Sequence, residues 1–451
     1  MEKKIKTAFV CTQCGGVFPR WQGQCTQCGE WNCLVEERVV SGKKKPIKSS
    51  GIKPQAINDI SGDLIAGFKS GISEFDRVLG GGILAGSAVL LAGEPGIGKS
   101  TLVLQAAEAY AQKGLNVLYV TGEESLNQLK KRAERLKVKS SKISIVNLSN
   151  LEEIVSVIED GQYNLVIVDS IQTVSSGMFQ SPPGTVGQIR ESAGALIEIA
   201  RRENFALVLI GHVTKEGMVA GPKVLEHMVD VVLNFEGDSQ YFYRLLRPVK
   251  NRYGSTMELG VFEMSPEGLI EVENPSLLFL SGDERQPRTG AVVAASCEGN
   301  RPILIEIQAL VSSASYGTPQ RVAGGLDNKR LALLLAILEK RAGIPMGAND
   351  VFVSVAGGLK LNEPAIDLAV MAAIVSSLRN IPVEPNTVLA GEVGLSGEVR
   401  AIGMADRRVS EAAKLGFKKI IIPQSTAKSI SIKNIDIISV SSLDSALEIL
   451  F

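Results

Sequence analysis

The sequence predicts an α/β core, a mostly parallel sheet with helices on both faces, preceded by a small metal-binding module and followed by an α+β unit. Three observations lead there. Between residues 57 and 274, apolar strand-like runs alternate with helix-patterned stretches, as parallel strands joined by crossover helices require. Before residue 35, two Cys-x2-Cys pairs stand close together. After residue 275, a hairpin pattern is followed by helices with an apolar stripe, without the regular alternation of the core.

A chain of 451 residues, 45% of them hydrophobic, is too long for one core and suggests two or three domains. Lys plus Arg and Asp plus Glu are equal at 48 each, so contact with nucleic acid or a membrane surface must come from a local patch. No charged-then-apolar leader opens the chain, and apolar stretches such as Leu331 to Leu338 fall far short of the roughly 20 residues of a membrane span. A cytoplasmic protein without membrane contact is expected.

The first unit, residues 8–34, sets Cys11 and Cys14, then Cys25 and Cys28, in tight turns that end in glycine. In a reducing compartment such pairs bind metal in preference to forming disulfides. Four thiolates at this spacing suit tetrahedral Zn²⁺ and leave no open coordination position, so the site is structural, and a segment this short depends on its metal to fold. Cys33 is an alternative ligand. Phe18, Trp21 and Trp31 either pack around the metal, stack on bases or meet a partner protein. Residues 35–56 lose periodicity; the five lysines between Lys43 and Lys53 face no acid, so this linker either stays solvated or runs along a phosphate backbone.

The core, residues 57–274, is built around Gly93-Glu94-Pro95-Gly96-Ile97-Gly98-Lys99-Ser100 and the following Thr101, which fit G-x-x-x-x-G-K-[ST] between an apolar strand and a helix-patterned stretch. The glycines let successive N–H groups point at phosphate oxygens, and the positive end of the helix faces the same anion. Lys99 then reaches the β- and γ-phosphates and Ser100 takes a place on Mg²⁺. ATP or GTP binding is the expectation.

Three further strand ends carry polar residues after apolar runs. Asp169, closing LVIVD, is placed to hold Mg²⁺; Glu123 or its neighbour Glu124 offers a base to orient the attacking water; His212 offers a sensor near the γ-phosphate. The glycine-rich stretches 175–185 and 214–223 read as loops on the nucleotide side that bind a second ligand. Lys130, Lys131, Arg132, Arg135, Lys137, Lys139 and Lys142 form a basic cluster that is either a solvated helix face or a DNA contact.

Together the four-cysteine knuckle, GEPGIGKST, TGEES, IVDSIQT, GHVTKEG and Lys250-Asn251-Arg252-Tyr253-Gly254 resemble the bacterial RadA (Sms) family of DNA repair proteins, over essentially the whole chain. These are RecA-like ATPases related to hexameric DnaB-type helicases. The family signature is KNRFG, so Tyr253 replaces the usual Phe and keeps the ring. The resemblance implies a RecA-like P-loop ATPase core and a zinc-ribbon-like module. It implies a homo-oligomeric, hexameric ring acting on single-stranded and branched DNA with RecA as partner. It also implies ATPase roles for Lys250 and Arg252 across a subunit boundary, Glu123 as the water-activating carboxylate, and DNA contact by the two glycine-rich loops.

The third unit, residues 275–451, reads as α+β: a hairpin around Gly299-Asn300, then DNKRLALLLAILEKRAG, PAIDLAVMAAIVSSL and MADRRVSEAAKLG as amphipathic helices. The stretches from Asn362 to Leu368 and from Gly391 to Arg400 resemble the peptidase domain of Lon. An ATP-dependent protease is therefore the rival reading. Lon uses a Ser activated by a Lys; on the family's motif Ala365 stands at the serine position and Asp406 at or near the lysine position, so neither role is filled. The resemblance thus implies a proteolytically inactive ring former, with Arg400, Arg407 and Arg408 on basic faces that bind DNA or make inter-subunit pairs. A RecA-like autokinase shares the P-loop but predicts duplicated ATPase halves, which this chain lacks.

Overall fold

The computed structural model describes residues 5–11, 14–40, 67–178, 182–212, 224–237, 242–280, 286–314, 317–428 and 430–451. Most of the basic linker and the loop at 214–223 lie outside these residues. The chain divides into two compact units, Met1–Val272 and Glu273–Phe451.

In the first unit, β1 (Ile5–Cys11), β2 (Val17–Phe18) and β3 (Leu34–Val40) form an antiparallel sheet in the order β2-β1-β3. The nucleotide-binding core then runs α1 (Ser73–Leu79), β4 (Ala88–Gly93), α2 (Lys99–Gln112), β5 (Val117–Thr121), α3 (Leu126–Arg135), β6 (Ile143–Asn147), α4 (Leu151–Asp160), β7 (Leu165–Asp169), α5 (Val186–Glu203) and β8 (Ala206–His212). It closes with β9 (Val231–Glu236), β10 (Tyr243–Asn251), β11 (Gly260–Ser265) and β12 (Gly268–Glu271). These nine strands make one sheet, ordered β12-β11-β10-β9-β4-β8-β7-β5-β6.

The strands β4, β5 and β7 are buried along their whole length, which is why they read as unbroken aliphatic runs without alternation. One core cluster lies under α2 (Leu102, Val103, Ala106, Tyr110), the other under α4 and α5 (Ile154, Ile189, Leu196). Each fully buried Leu or Val of the sheet, such as Leu90 and Val166, contributes about 1.5–3 kcal/mol relative to exposure. Ser125 starts α3 with a capping box to Gln128, and Asn150 caps α4, each worth about 1 kcal/mol. The sheet departs from the parallel expectation beyond β9, where β10, β11 and β12 pair antiparallel. No helix-length segment separates these strands, so the chain returns directly instead of crossing over.

The second unit runs α6 (Ser276–Phe279), β13 (Ala291–Glu298), β14 (Arg301–Ser313), β15 (Arg321–Gly324), α7 (Asn328–Lys340), β16 (Asn349–Val355), α8 (Asp367–Arg379) and β17 (Thr387–Leu389). It continues with β18 (Glu392–Val393), β19 (Val399–Arg400), α9 (Ala405–Lys414), β20 (Lys419–Pro423), α10 (Gln424–Ala427), β21 (Asp436–Val440) and α11 (Leu443–Leu450). The β13–β14 hairpin turns at Gly299-Asn300, within a seven-stranded sheet ordered β15-β16-β14-β13-β17-β20-β21.

Two expectations are corrected here. The helix α8 is not amphipathic: every residue from Asp367 to Ser376 is buried, because its small residues Ala369, Ala372 and Ala373 let it lie close against the sheet. Nor is Arg408 on a basic face. It is 1% exposed, donating to Ala295 O at 2.6 Å and Gly403 O at 3.0 Å, and it is ion-paired with Glu363. It sits beside Val409 on the inner stripe of α9, where a charge survives only with a partner. Arg400 pairs with Glu398, whereas Arg407, exposed on α9, donates to Asn300 O. In the first unit, Arg132 pairs with Glu124 and Lys137 with Glu267, which neutralises part of that basic cluster. No helix among the described residues is long and apolar enough to cross a membrane.

Candidate nucleotide-binding and metal sites

The loop Gly93–Ser100 joins β4 to α2, with Gly98 at φ 116° as the residue before the helix, a conformation that side-chain-bearing residues rarely adopt. Register then assembles the site. Because β4 and β8 are parallel with Gly93 opposite His212, and β5 and β7 are parallel with Thr121 opposite Asp169, the loop, His212, Asp169 and the Gly122-Glu123-Glu124 turn share the carboxyl edge of the sheet. That is the edge where ligands of such sheets bind.

Lys99 is buried, its Nζ donating to Gly93 O at 2.8 Å and Glu94 O at 2.9 Å and lying 3.1 Å from His212 Nδ1. Burial pulls its pKa down to about 8, against the opposing pull of Asp169, Glu123 and Glu94. On the other side of the imidazole, His212 Nε2 is 2.9 Å from Glu123 Oε1. An ammonium that donates to Nδ1 leaves the ring proton on Nε2, so His212 in turn donates to Glu123. Ser170 Oγ donates to the same carboxylate oxygen. These bonds, the His212 contact foremost, hold Glu123 down to about 2 although burial opposes them, so it is ionised at neutral pH.

Glu123 and Glu124, inseparable in sequence, have different neighbours: Glu124 turns away to pair with Arg132. Asp169 is buried. Its Oδ2 accepts from Tyr119 OH at 2.6 Å, while Oδ1 has no hydrogen-bond partner among the described residues. Burial, with Asp169 beside it, keeps the Tyr119 phenol well above its ordinary pKa and hence a donor. A buried carboxylate oxygen with an unused lone pair, next to a P-loop, fits an oxygen-liganded Mg²⁺, for which Ser100 at the start of α2 offers a hydroxyl. Sequence reasoning missed Tyr119 and Ser170. The signal for Tyr119 was one polar-tipped ring inside the aliphatic run VLYVT.

Lys250 and Arg252 lie elsewhere. Because β10 runs antiparallel to β9, Lys250 stands opposite Val232 near the start of β9, which is the amino edge of the parallel strands. Lys250 Nζ donates to Glu226 O and Val229 O, both at 2.8 Å, and Arg252 Nη1 to Asp230 Oδ1 at 3.0 Å. The turn is fixed by glycine against glycine: a Cβ on Gly254 would come within 2.7 Å of Gly80 Cα.

In the cysteine module, one sulfur each from Cys11, Cys14, Cys25 and Cys28 gather within 4.8 Å of one another. The turns close through Gly15 N to Cys11 O and Gly29 N to Cys25 O. Cys33 lies beside this set, 3.4 Å from Cys11 Sγ, and donates to Glu30 O. An all-sulfur tetrad fits Zn²⁺. In the second unit Ala365 is buried in the short 3-10 turn Pro364–Ile366 just before α8, and Asp406 is exposed on α9.

Fold and site together define a RecA-like P-loop ATPase that carries a four-cysteine metal module and a Lon-peptidase-like unit. Residues 57–218 match the family described as AAA domain, 345–451 the Lon protease (S16) C-terminal proteolytic domain, and 9–36 the rubredoxin metal binding domain. The DNA repair protein RadA of Bacillus subtilis (strain 168) is 46% identical, covering 98% of this chain and 98% of its own. That of Brucella abortus (strain 2308) is 48% identical over 94% and 93%, and that of Escherichia coli (strain K12) 45% over 100% and 99%. The chain belongs to the RadA family of DNA repair proteins.

Proposed function

We propose that this protein is a ring-forming motor ATPase that moves along single-stranded DNA in recombination intermediates and extends RecA-mediated strand exchange by branch migration. The observation that supports it best is the split of polar groups between two edges of one sheet. Lys99, Asp169, Glu123 and His212 stand at the carboxyl edge; Lys250 lies level with Leu90 on β4, three residues or about 10 Å before Gly93. Cations on the far edge serve a neighbouring copy's nucleotide, so hydrolysis is tied to ring assembly, and the family resemblance makes that ring a hexamer.

In this reading the backbone N–H groups from Gly93 to Thr101 cradle the phosphates, and Lys99 exchanges its carbonyl partners for the β- and γ-phosphates of ATP. Mg²⁺, held by Ser100 and Asp169, neutralises phosphate charge. Tyr119 orients Asp169, and Glu123, ionised and held by His212 and Ser170, orients the attacking water and takes its proton. Lys250 and Arg252 stabilise transition-state charge across the subunit boundary. The stretches 175–185 and 214–223, the latter outside the described residues, contact DNA. The zinc module meets RecA or DNA, and the cytoplasmic ring is closed by a C-terminal unit without proteolytic chemistry, since Ala365 offers no nucleophile and Asp406 no amine.

Mixing two inactive variants tests the shared site. Lys99→Ala and Arg252→Ala should each be inactive alone and regain part of wild-type turnover when co-assembled, because some boundaries then join an intact Lys99 to an intact Arg252. Mixtures as inactive as their components contradict it.

A further inference from the structure

The two tryptophans of the chain, Trp21 and Trp31, are both in the cysteine module, and both are more than half exposed, at 56% and 68%. Phe18 behaves differently, packing against the cysteine cluster. With Phe9, the module thus packs two phenyl rings against its core and leaves two larger indoles in solvent. They flank a single glycine: a methyl on Gly23 would lie 3.6 Å from Trp31 Cζ3 and 4.0 Å from Trp21 Cη2. The backbone fixes this arrangement, since Gln24 bridges to Trp31, Asn32 N donates to Gly23 O at 2.7 Å and Gln24 Nε2 donates to Gly29 O at 2.8 Å.

We propose that Trp21 and Trp31 form a stacking platform for the bases of single-stranded DNA, a site that rests on the DNA-motor reading above. Exposed indoles are costly in water, and a nucleobase offers the flat, uncharged π-face that covers them without regard to sequence. Charge agrees: between residues 8 and 35 the module carries Arg20 and Glu30 alone as charged residues, so its exposed face is aromatic instead of ionic, while Arg20, next to Trp21 in the chain, offers a cation for a phosphate. Position agrees as well. Arg190 Nη1 donates to Gly15 O at 3.0 Å, and the Gly15 α-carbon faces Val186. Both partners lie in the first turns of α5, which begins where the stretch 175–185 ends, so the platform is tethered to the root of a proposed DNA loop.

Because both tryptophans of the chain lie in this module, tryptophan emission, excited selectively over the seven tyrosines, reports this patch. The full-length zinc-loaded protein is titrated with fluorescein-labelled oligodeoxythymidylate, reading anisotropy for binding and tryptophan emission for stacking. The expected result is saturable quenching that tracks anisotropy. Trp31→Ala and Trp21→Ala should weaken binding about tenfold each, with zinc content and basal ATP hydrolysis unchanged, and Trp31→Phe should recover most of the loss. DNA binding with unchanged emission, or Ala variants that bind as wild type, overturns the platform and leaves the motor reading standing. No anisotropy change at all overturns both, and quenching by RecA protein but not by DNA overturns the platform in favour of a protein contact.

Discussion

His212 Nε2 lies 2.9 Å from Glu123 Oε1, and the opposite nitrogen of the same ring lies 3.1 Å from Lys99 Nζ. One imidazole thus joins the loop lysine Lys99 to the carboxylate of Glu123, the two groups proposed to bind phosphate and to activate water. Its two nitrogens therefore face groups of opposite charge, Lys99 on one side and Glu123 on the other.

That geometry separates two adjacent acids. Glu123→Gln should lower ATP hydrolysis by about 10²–10⁴-fold while nucleotide binding persists. Glu124→Gln loses only its pairing with Arg132, a partly exposed bridge, and should leave turnover within about threefold. Steady-state hydrolysis and equilibrium binding of a fluorescent ATP analogue distinguish the two.

The lowered Lys99 pKa, about 8, makes nucleotide binding pH-dependent. Phosphate favours the ammonium form, so binding above that pH must take up a proton. Affinity should therefore fall by about tenfold per pH unit above pH 8 and be flat below it. Titration calorimetry at pH 8.5 in buffers of different ionisation enthalpy should show net proton uptake, abolished in Lys99→Met. The same shift has a sign for stability: the unfolded chain holds this proton up to its ordinary value of 10.5 and the folded chain releases it near 8, so this residue's penalty on folding is relieved as pH rises between them.

Cys14→Ser should reduce bound zinc from one equivalent to none and disorder the module. Basal ATP hydrolysis should stay within about twofold, because the core sheet has its own buried clusters. Metal analysis beside a hydrolysis assay measures both.

Arg408→Ala should destabilise the second unit by about 3–5 kcal/mol, since it leaves Glu363 without its buried partner. Arg400→Ala, at an exposed site, should fall within about 0.5 kcal/mol of wild type. Chemical denaturation of each variant gives the comparison.

The phosphate loop was legible in the sequence because strand, loop and helix are consecutive and every necessary residue is local. Asp169 and Glu123 were legible as polar ends of apolar strands. The choice of Glu123 over Glu124 was not, because it depends on which way a turn sends two neighbours, one toward His212 and the other toward Arg132. Nor was the edge occupied by Lys250 and Arg252, which follows from the antiparallel return of β10. Arg408 looked like a surface charge because its partner, Glu363, is 45 positions away. The exposure of Trp21 and Trp31 was equally hidden, since a ring beside a metal knuckle has the same letter whether it packs inward or outward.

The central claim, a DNA-driven ATPase without proteolysis, is tested most directly by ATP hydrolysis of the purified protein with and without single-stranded DNA, beside a casein-degradation control. The account predicts stimulation by DNA, loss of turnover in Lys99→Ala and intact casein. Turnover indifferent to DNA, or degradation of casein, would contradict it.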